Sequence, residues 1–161
     1  MPGARFVIQQ HAASSMHFDF RLEVEGVLAS WAVPKGPSTD PRQKRLAVQV
    51  GDHDLEYAGF EGVHGRGYGA GAVIVWDNGT YDVLSEGTMR EALDAGHASF
   101  WLHGHKLRGG YTLQRTSAGE KPQWLLIKRR DDEADARRNP VSTEPESVIS
   151  GLTVEQMGER G

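Results

Sequence analysis

The stretch Arg5 to Val24, RFVIQQHAASSMHFDFRLEV, decides how this chain folds. In extended backbone successive side chains point to opposite faces, so Phe18, Phe20, Leu22 and Val24 line one face while His17, Asp19, Arg21 and Glu23 line the other. In the preceding run Phe6 and Ile8 share one face, and Arg5, Gln9 and His11 share the opposite one. If the five residues Ala12 to Met16 close a hairpin, His11 stands opposite His17 and Gln9 opposite Asp19, with facing side chains about 5 Å apart. The phenylalanine face belongs to a core. The polar face gathers two imidazoles and a carboxylate, a donor set suited to a divalent cation with nitrogen and oxygen ligands and positions left for water or substrate. Arg21, one pleat farther along that face, can hold a phosphate through its planar fork. Alternation alone leaves a plainer alternative open: a wet strand face carries His, Asp, Arg and Glu simply because it is solvated.

Outward from this hairpin the chain continues as short β-like runs punctuated by glycine, of which there are 20. Val27 to Val33, Arg45 to Val50, Ala72 to Asp77, Thr80 to Leu84, Phe100 to His103, Gly110 to Arg115 and Trp124 to Lys128 all have strand character. The fold class is therefore mainly β, a small closed or partly open barrel with short flanking helices. Asp77-Asn78-Gly79 between VIVW and TYDVL has the chemistry of a tight hairpin turn, because Asn and Gly accept positive φ. Thr88 to Ala95, closed by Gly96, predicts a short helix, and Pro34 to Pro37 predicts a loop. From about Asp131 the apolar periodicity gives way to charge and proline. That predicts a barrel domain over residues 1–130 and a charged, mobile tail over 131–161.

At 161 residues the chain reads as one domain, long enough to bury about two-thirds of its unfolded surface. With no cysteine, disulfides and thiolate metal sites are excluded, so any metal must sit on His, Asp, Glu or water. No signal segment and no run of apolar residues long enough to span a membrane is present, which points to a cytoplasmic protein without membrane contact. The net charge of −4 argues against general coating of DNA, although a local basic groove remains compatible with it.

RFVIQQHAASSMHFDFRLEVEGVLASWAVPKGPS, KRLAVQVGDHDLEYAGFEG, YGAGAVIVWDNGTYD, HGHKLRGGYTLQR and WLLIKRRDDEA, taken in this order over roughly residues 5 to 135, resemble the 3′-phosphoesterase module of bacterial and archaeal ligase D proteins and its stand-alone relatives. The resemblance implies a small β-barrel with a crescent-shaped polar site. It further implies a manganese-dependent enzyme that trims 3′ ends of DNA on primer-templates during end joining, first removing a terminal ribonucleoside and then the remaining 3′-phosphate. His11, His17 and Asp19 fall on the family's metal ligands. Arg21, Arg45 and His53 fall on the groups around the scissile phosphate, and Gln9 and Tyr57 also match active-site positions. Separate ligase, polymerase and end-binding repair proteins are the implied partners, with action at the nucleoid during repair.

Three departures from the family pattern shape the expectations. The motif starts almost at Met1, without the preceding segment that brings a glutamate and an arginine to the site, so 3′-phosphatase activity is expected to survive better than ribonucleoside removal. The stretch between FEGV and YGAG is shortened to HGRG, where His64 and Arg66 read first as a flexible turn and second as phosphate contacts. The chain stops where fused relatives continue toward a ligase domain, which reads as a stand-alone enzyme. Trp31, Trp76, Trp101 and Trp124 fit core or rim positions better than base-stacking ones. His103 and His105 beside Lys106 and Arg108 read as a solvated strand end or a DNA-backbone contact. Two other classes stay open: a cupin-like metal enzyme acting on a small metabolite, and a non-catalytic DNA-end-binding or protein-interaction module of the same fold.

Overall fold

The computed structural model describes residues 3–64 and 71–160. β1 (Ala4–Ala12) and β2 (Met16–Val24) form the expected hairpin, with Gln9 paired to Asp19 and His11 to His17. A turn at Glu25 and Gly26, with φ of 50° and 84°, carries β2 into β3 (Val27–Val33). Positive φ at both central residues gives a twist that matches the strands it joins. There follow β4 (Lys44–Asp54), a 3₁₀ turn (Leu55–Gly59), β5 (Gly62–His64), β6 (Gly71–Val83), α1 (Met89–Asp94), β7 (His97–Gly104), β8 (Arg108–Ser117) and β9 (Gln123–Lys128). Neighbouring strands run β1-β2-β3-β4-β9-β8-β7-β6, and β6 pairs back onto β1, so the antiparallel wall closes. The short β5 only extends the end of β6. Closure removes the open sheet edges through which strands aggregate.

Phe6, Ile8, Phe18, Phe20, Leu22 and Val24 fill the barrel together with Trp31, Trp76, Phe100 and Trp124. Trp31, Trp76 and Trp124 are buried, in keeping with a core role, and Trp101 is half-buried. The predicted helix is present as α1, opened by a capping box between Thr88 and Glu91 and followed by Gly96 at φ 81°. Among the described residues no helix is long and apolar enough to cross a membrane.

Two expectations are corrected. The hairpin at Asp77-Asn78-Gly79 does not exist: β6 passes through these residues without turning. Ile8 pairs with Asp77 and Gln9 with Val75, which leaves Trp76 as an extra residue, and this bulge absorbs the bend. Asp77 has a different task. Its buried carboxylate accepts the backbone N–H groups of His105, Lys106 and Leu107 and so closes the loop between β7 and β8. Gly79 is needed because a Cβ there would lie 2.0 Å from the carbonyl oxygen of His103. Turn-like residues thus serve a continuous strand, Asp77 by tying the loop between β7 and β8 and Gly79 by admitting the close approach of β7.

The segment from Asp131 is packed rather than loose. The Asp135 N–H donates to the Thr39 carbonyl at 2.9 Å, and the Trp76 indole donates to the Glu144 carbonyl at 2.8 Å. Lys106, buried rather than solvated, donates its ammonium to the carbonyls of Glu144 and Glu146 and lies 4.5 Å from the Trp76 ring centre. α2 (Pro140–Thr143) buries Pro140, and α3 (Val154–Glu159) buries Val154 and Met157 against Ala72 and Ile74 of β6. A few apolar anchors among many charges, plus fastening through backbone carbonyls, give no hydropathy signal. That is why the segment reads as mobile.

Candidate active site

The site lies on the outer wall of the first hairpin, and three local features put it there. Register comes first: one donor atom from each of His11, His17 and Asp19 lies within 4.8 Å of the others. The second feature is a bulge in β4. Leu28 pairs with His53 and Ser30 with Val50, so Gly51 and Asp52 together face Ala29. Without the extra residue Asp52 would stand opposite Leu28, and the bulge delivers His53 to the outer face instead. Third, the 3₁₀ turn lies over the outward side chains of β1 and β3, where Leu55, Tyr57 and Ala58 pack on Val7, Leu28 and Val75.

Arg21 is the hub of this surface, with only 3% of its area exposed. Its Nε donates to Gln9 Oε1 at 2.7 Å, and its Nη1 donates to Ser30 Oγ at 2.8 Å and to His53 Nδ1 at 3.0 Å. Nη2 lies 3.4 Å from Asp19 Oδ2, and the guanidinium carbon sits 5.0 Å from the Tyr57 ring centre. The fork expected to reach out for phosphate is therefore largely engaged within the protein. His53 Nδ1 also lies 3.3 Å from the Gly51 carbonyl, to which it could only donate, but a guanidinium cannot accept, so the shorter Arg21 contact favours Nδ1 as acceptor and the proton of the neutral ring on Nε2. Burial, then the Arg21 charge, lowers the His53 pKa and favours that neutral form.

His17 and Asp19 form a pair, Nε2 to Oδ1 at 3.2 Å. The hydrogen bond to Asp19 raises the pKa of His17 against the opposing effect of burial. Burial alone would raise that of Asp19, but the His17 bond and the Arg21 charge outweigh it and the net shift is downward. His17 Nδ1 is backed by the Ser15 carbonyl at 3.3 Å, which presents Nε2 toward the cluster. The pKa of His11 is lowered by burial and by the neighbouring His17, and its buried Nε2 has no hydrogen-bond partner. An orphaned ring nitrogen beside a second imidazole and a carboxylate is the arrangement a nitrogen and oxygen metal site requires.

The structure sorts the remaining expected residues. Gln9 is completely buried and meets no solvent: Oε1 accepts from Arg21, while Nε2 donates to the carbonyls of Tyr57 at 2.9 Å and Phe60 at 3.2 Å. It ties the turn to the hub. Tyr57 is brought in, its ring 4.8 Å from that of His53, and burial raises its pKa. Arg45 is not brought in. It shares the inward parity of Ala47 at the rim of the barrel, and its described hydrogen bond goes to Gln43 at 3.1 Å. Sequence reading missed Ser30, although the two-residue turn at Glu25-Gly26 fixes it opposite Arg21. It also underrated His64, whose Nε2 lies 2.6 Å from the Tyr57 hydroxyl. Arg66 and the Tyr68-Gly69-Ala70 part of the YGAG motif lie outside the described residues.

A closed antiparallel barrel with a His, His, Asp cluster and a buried arginine on its outer wall defines a class of small β-barrel protein whose candidate site lies on the outer wall rather than in the barrel interior, which the apolar core fills. Residues 9–115 match the family described as the DNA Ligase D 3′-phosphoesterase domain, and the chain belongs to that family. It is 51% identical over 154 residues to the multifunctional non-homologous end joining protein LigD of Pseudomonas aeruginosa, covering 93% of this chain and 18% of that protein. To the multifunctional non-homologous end joining DNA repair protein LigD of Mycobacterium tuberculosis it is 44% identical over 134 residues, covering 81% of this chain and 17% of that protein. The chain thus spans about a fifth of the length of these relatives.

Proposed function

We propose that this protein is a manganese-dependent phosphoesterase that processes DNA 3′ ends in end joining, removing 3′-phosphates and 3′-terminal ribonucleosides. The observation that carries the reading is the His11, His17 and Asp19 cluster, whose donor atoms lie within 4.8 Å of one another and in which His11 Nε2 is buried without a hydrogen-bond partner, on the same surface as the fixed cation of Arg21 and the His53 ring. His11, His17 and Asp19 would hold the metal. When bound, it supplies charge neutralisation at a phosphate oxygen and orientation of the attacking group. Arg21 acts differently from the free clamp first expected. Locked by Gln9, Ser30, His53 and Asp19, it is a preorganised positive charge behind the phosphate position, and such a charge needs no rearrangement as negative charge develops. With Nδ1 turned to Arg21, His53 would offer Nε2–H as a donor toward a phosphoryl oxygen, and Tyr57 forms the wall under Arg21. Primer-template DNA ends are the substrate that fits this reading. Partnership with ligase, polymerase and end-binding activities rests on the end-joining names of the relatives.

The test is a labelled primer-template bearing a 3′-phosphate or a 3′-ribonucleotide, incubated with manganese and with chelator. Conversion with manganese alone, abolished in His17→Ala, is expected. Tight binding of the DNA end by manganese-loaded protein with no conversion would replace the enzyme by a non-catalytic end-binding module.

A further inference from the structure

His64 closes one flank of the site, and family membership assigns it nothing. Its Nε2 is 2.6 Å from the Tyr57 hydroxyl. The ring stacks on Phe60 with centroids 4.7 Å apart and stands edge-on to His11 at 5.9 Å. Tyr57 is gripped along its whole length. Gln9 holds its backbone carbonyl, Arg21 lies over its ring face, Phe60 stacks against it at 5.2 Å, and His64 meets the hydroxyl at the far end. Three strands and a turn thus converge on the placement of one phenol oxygen beside the cluster of possible metal ligands. Only His64 touches that oxygen directly among the described hydrogen bonds.

We infer that His64 is a positioning residue that fixes the Tyr57 hydroxyl as a hydrogen-bond donor to a phosphate oxygen bound at the His11, His17, Asp19 site; the inference rests on the phosphoesterase reading above. A phenol has one proton and an oxygen that also accepts, whereas an imidazole can present Nε2 either as acceptor or as donor. With the site empty of anion, the phenol proton can rest on His64. When an anionic oxygen comes within reach, the charge-assisted bond to it is the stronger one. The phenol proton then turns to the phosphate, while the neutral His64 ring changes tautomer through water, losing its proton at Nδ1 and gaining one at Nε2, and donates Nε2–H to the phenol oxygen. The phenol oxygen keeps a partner in both arrangements, and its position does not change. Gln at position 64 offers a similarly placed N–H donor; Ala offers none.

The experiment compares wild type, His64→Ala, His64→Gln, Tyr57→Phe and the double variant Tyr57→Phe/His64→Ala. Two readouts are used: the affinity of the manganese-loaded protein for inorganic phosphate, and turnover of a 3′-phosphate primer-template. His64→Ala should lose roughly 5- to 10-fold in each, the size of one hydrogen bond. His64→Gln should recover part of the loss. The double variant should be no worse than Tyr57→Phe, because residues acting through one contact are not additive. In the metal-free protein the imidazole nitrogen resonances of His64 should shift in Tyr57→Phe, while manganese affinity and melting temperature stay close to wild type in His64→Ala. Parental phosphate affinity and turnover in His64→Ala, or additive losses in the double variant, would overturn the inference while leaving the phosphoesterase intact. The reverse pattern, coupled phosphate binding with no turnover by wild type, would uphold the positioning role and reject the enzyme.

Discussion

Arg21 and Lys128 are two buried cations built to the same plan and put to different uses. Each lies over a tyrosine ring, 5.0 Å for Arg21 on Tyr57 and 5.3 Å for Lys128 on Tyr111, and each meets one aspartate, Asp19 and Asp131. The rest of the surroundings differ. Lys128 donates to the carbonyls of Gly110 and Arg129, and Asp131 in turn accepts the N–H groups of Gly110 and Glu133. That network closes on the backbone and leaves nothing free. Arg21 is surrounded by side chains, and two of them, Asp19 and His53, still have a lone pair or a proton to offer outward. A buried charge must be partnered wherever it is. Backbone partners make it a fastener of the chain, and side-chain partners with unused valence make it the organiser of a reactive surface.

The sharpest test of that division is Lys128→Met. Removing one member of a buried pair leaves Asp131 without its cation, and the expected loss is about 3 to 5 kcal/mol, a fall in melting temperature of roughly 6 to 20 °C for a chain of this size. Manganese affinity measured by calorimetry should not change. A loss of metal binding in this variant would erase the distinction between the two cations. The next largest effect on stability belongs to Gln9→Leu. It leaves the Arg21 Nε and two carbonyls unpaired, which should cost about 2 to 3 kcal/mol, and unlike Lys128→Met it should also slow turnover, because Arg21 and the 3₁₀ turn lose their common tie. Parental turnover at reduced stability would make Gln9 a fastener of the Lys128 kind.

What the sequence made legible follows the same line. The hairpin register that joins His11 to His17 and Gln9 to Asp19 was readable because β alternation and a short connection leave little freedom. Arg21 and His53 were both named through the family resemblance, but the bond between them was not foreseen and Ser30 was missed, since the first depends on a bulge at Gly51 and Asp52 and the second on the neighbouring turn. Arg45 shares the inward parity of Ala47 within its strand and leaves its Nε buried without a hydrogen-bond partner, a placement that its charge alone does not reveal. Asp77 and the segment after Asp131 were misread for a shared reason. Their binding is done by main-chain carbonyls and N–H groups, which every residue possesses and no sequence pattern displays.

A third prediction separates metal ligand from fold. His17 is half-buried, and its pair with Asp19 is partly solvated, so His17→Ala should lower the stability of the metal-free protein by less than about 1 kcal/mol. The same change should weaken manganese binding by more than the roughly 10- to 100-fold typical for loss of a mere outer partner of a metal site. Calorimetric titration beside thermal melts would show both. Unchanged manganese affinity would remove His17 from the proposed metal site.

The smallest expected effect concerns Lys106, a third buried cation, and it turns on what lysine can do and arginine cannot. Burial pulls the pKa of Lys106 down to about 8, against the opposing pull of Asp77, Glu144 and Glu146. Burial also lowers that of Arg21, but a guanidinium starts so high that Arg21 remains charged across the working range. For Lys106 the unfolded chain binds more protons than the folded one between the folded value near 8 and the ordinary lysine value of about 10.4. Stability from this group therefore rises with pH across that window, since folding no longer confines a charge once the amine is neutral. Above pH 10 the raised Tyr81, at about 12, works the other way, because its folded form resists an ionisation that the unfolded chain accepts. Melts of the metal-free protein from pH 8 to 10 should accordingly show a more favourable pH trend in wild type than in Lys106→Met, which has no proton to lose. The neutral amine can still donate to the carbonyls of Glu144 and Glu146, so the C-terminal segment should stay docked, and hydrogen exchange of the Val148 N–H, bonded to Val75 at 3.0 Å, would report it. Identical trends in wild type and Lys106→Met would mean that Lys106 keeps its charge throughout the window, as Arg21 does.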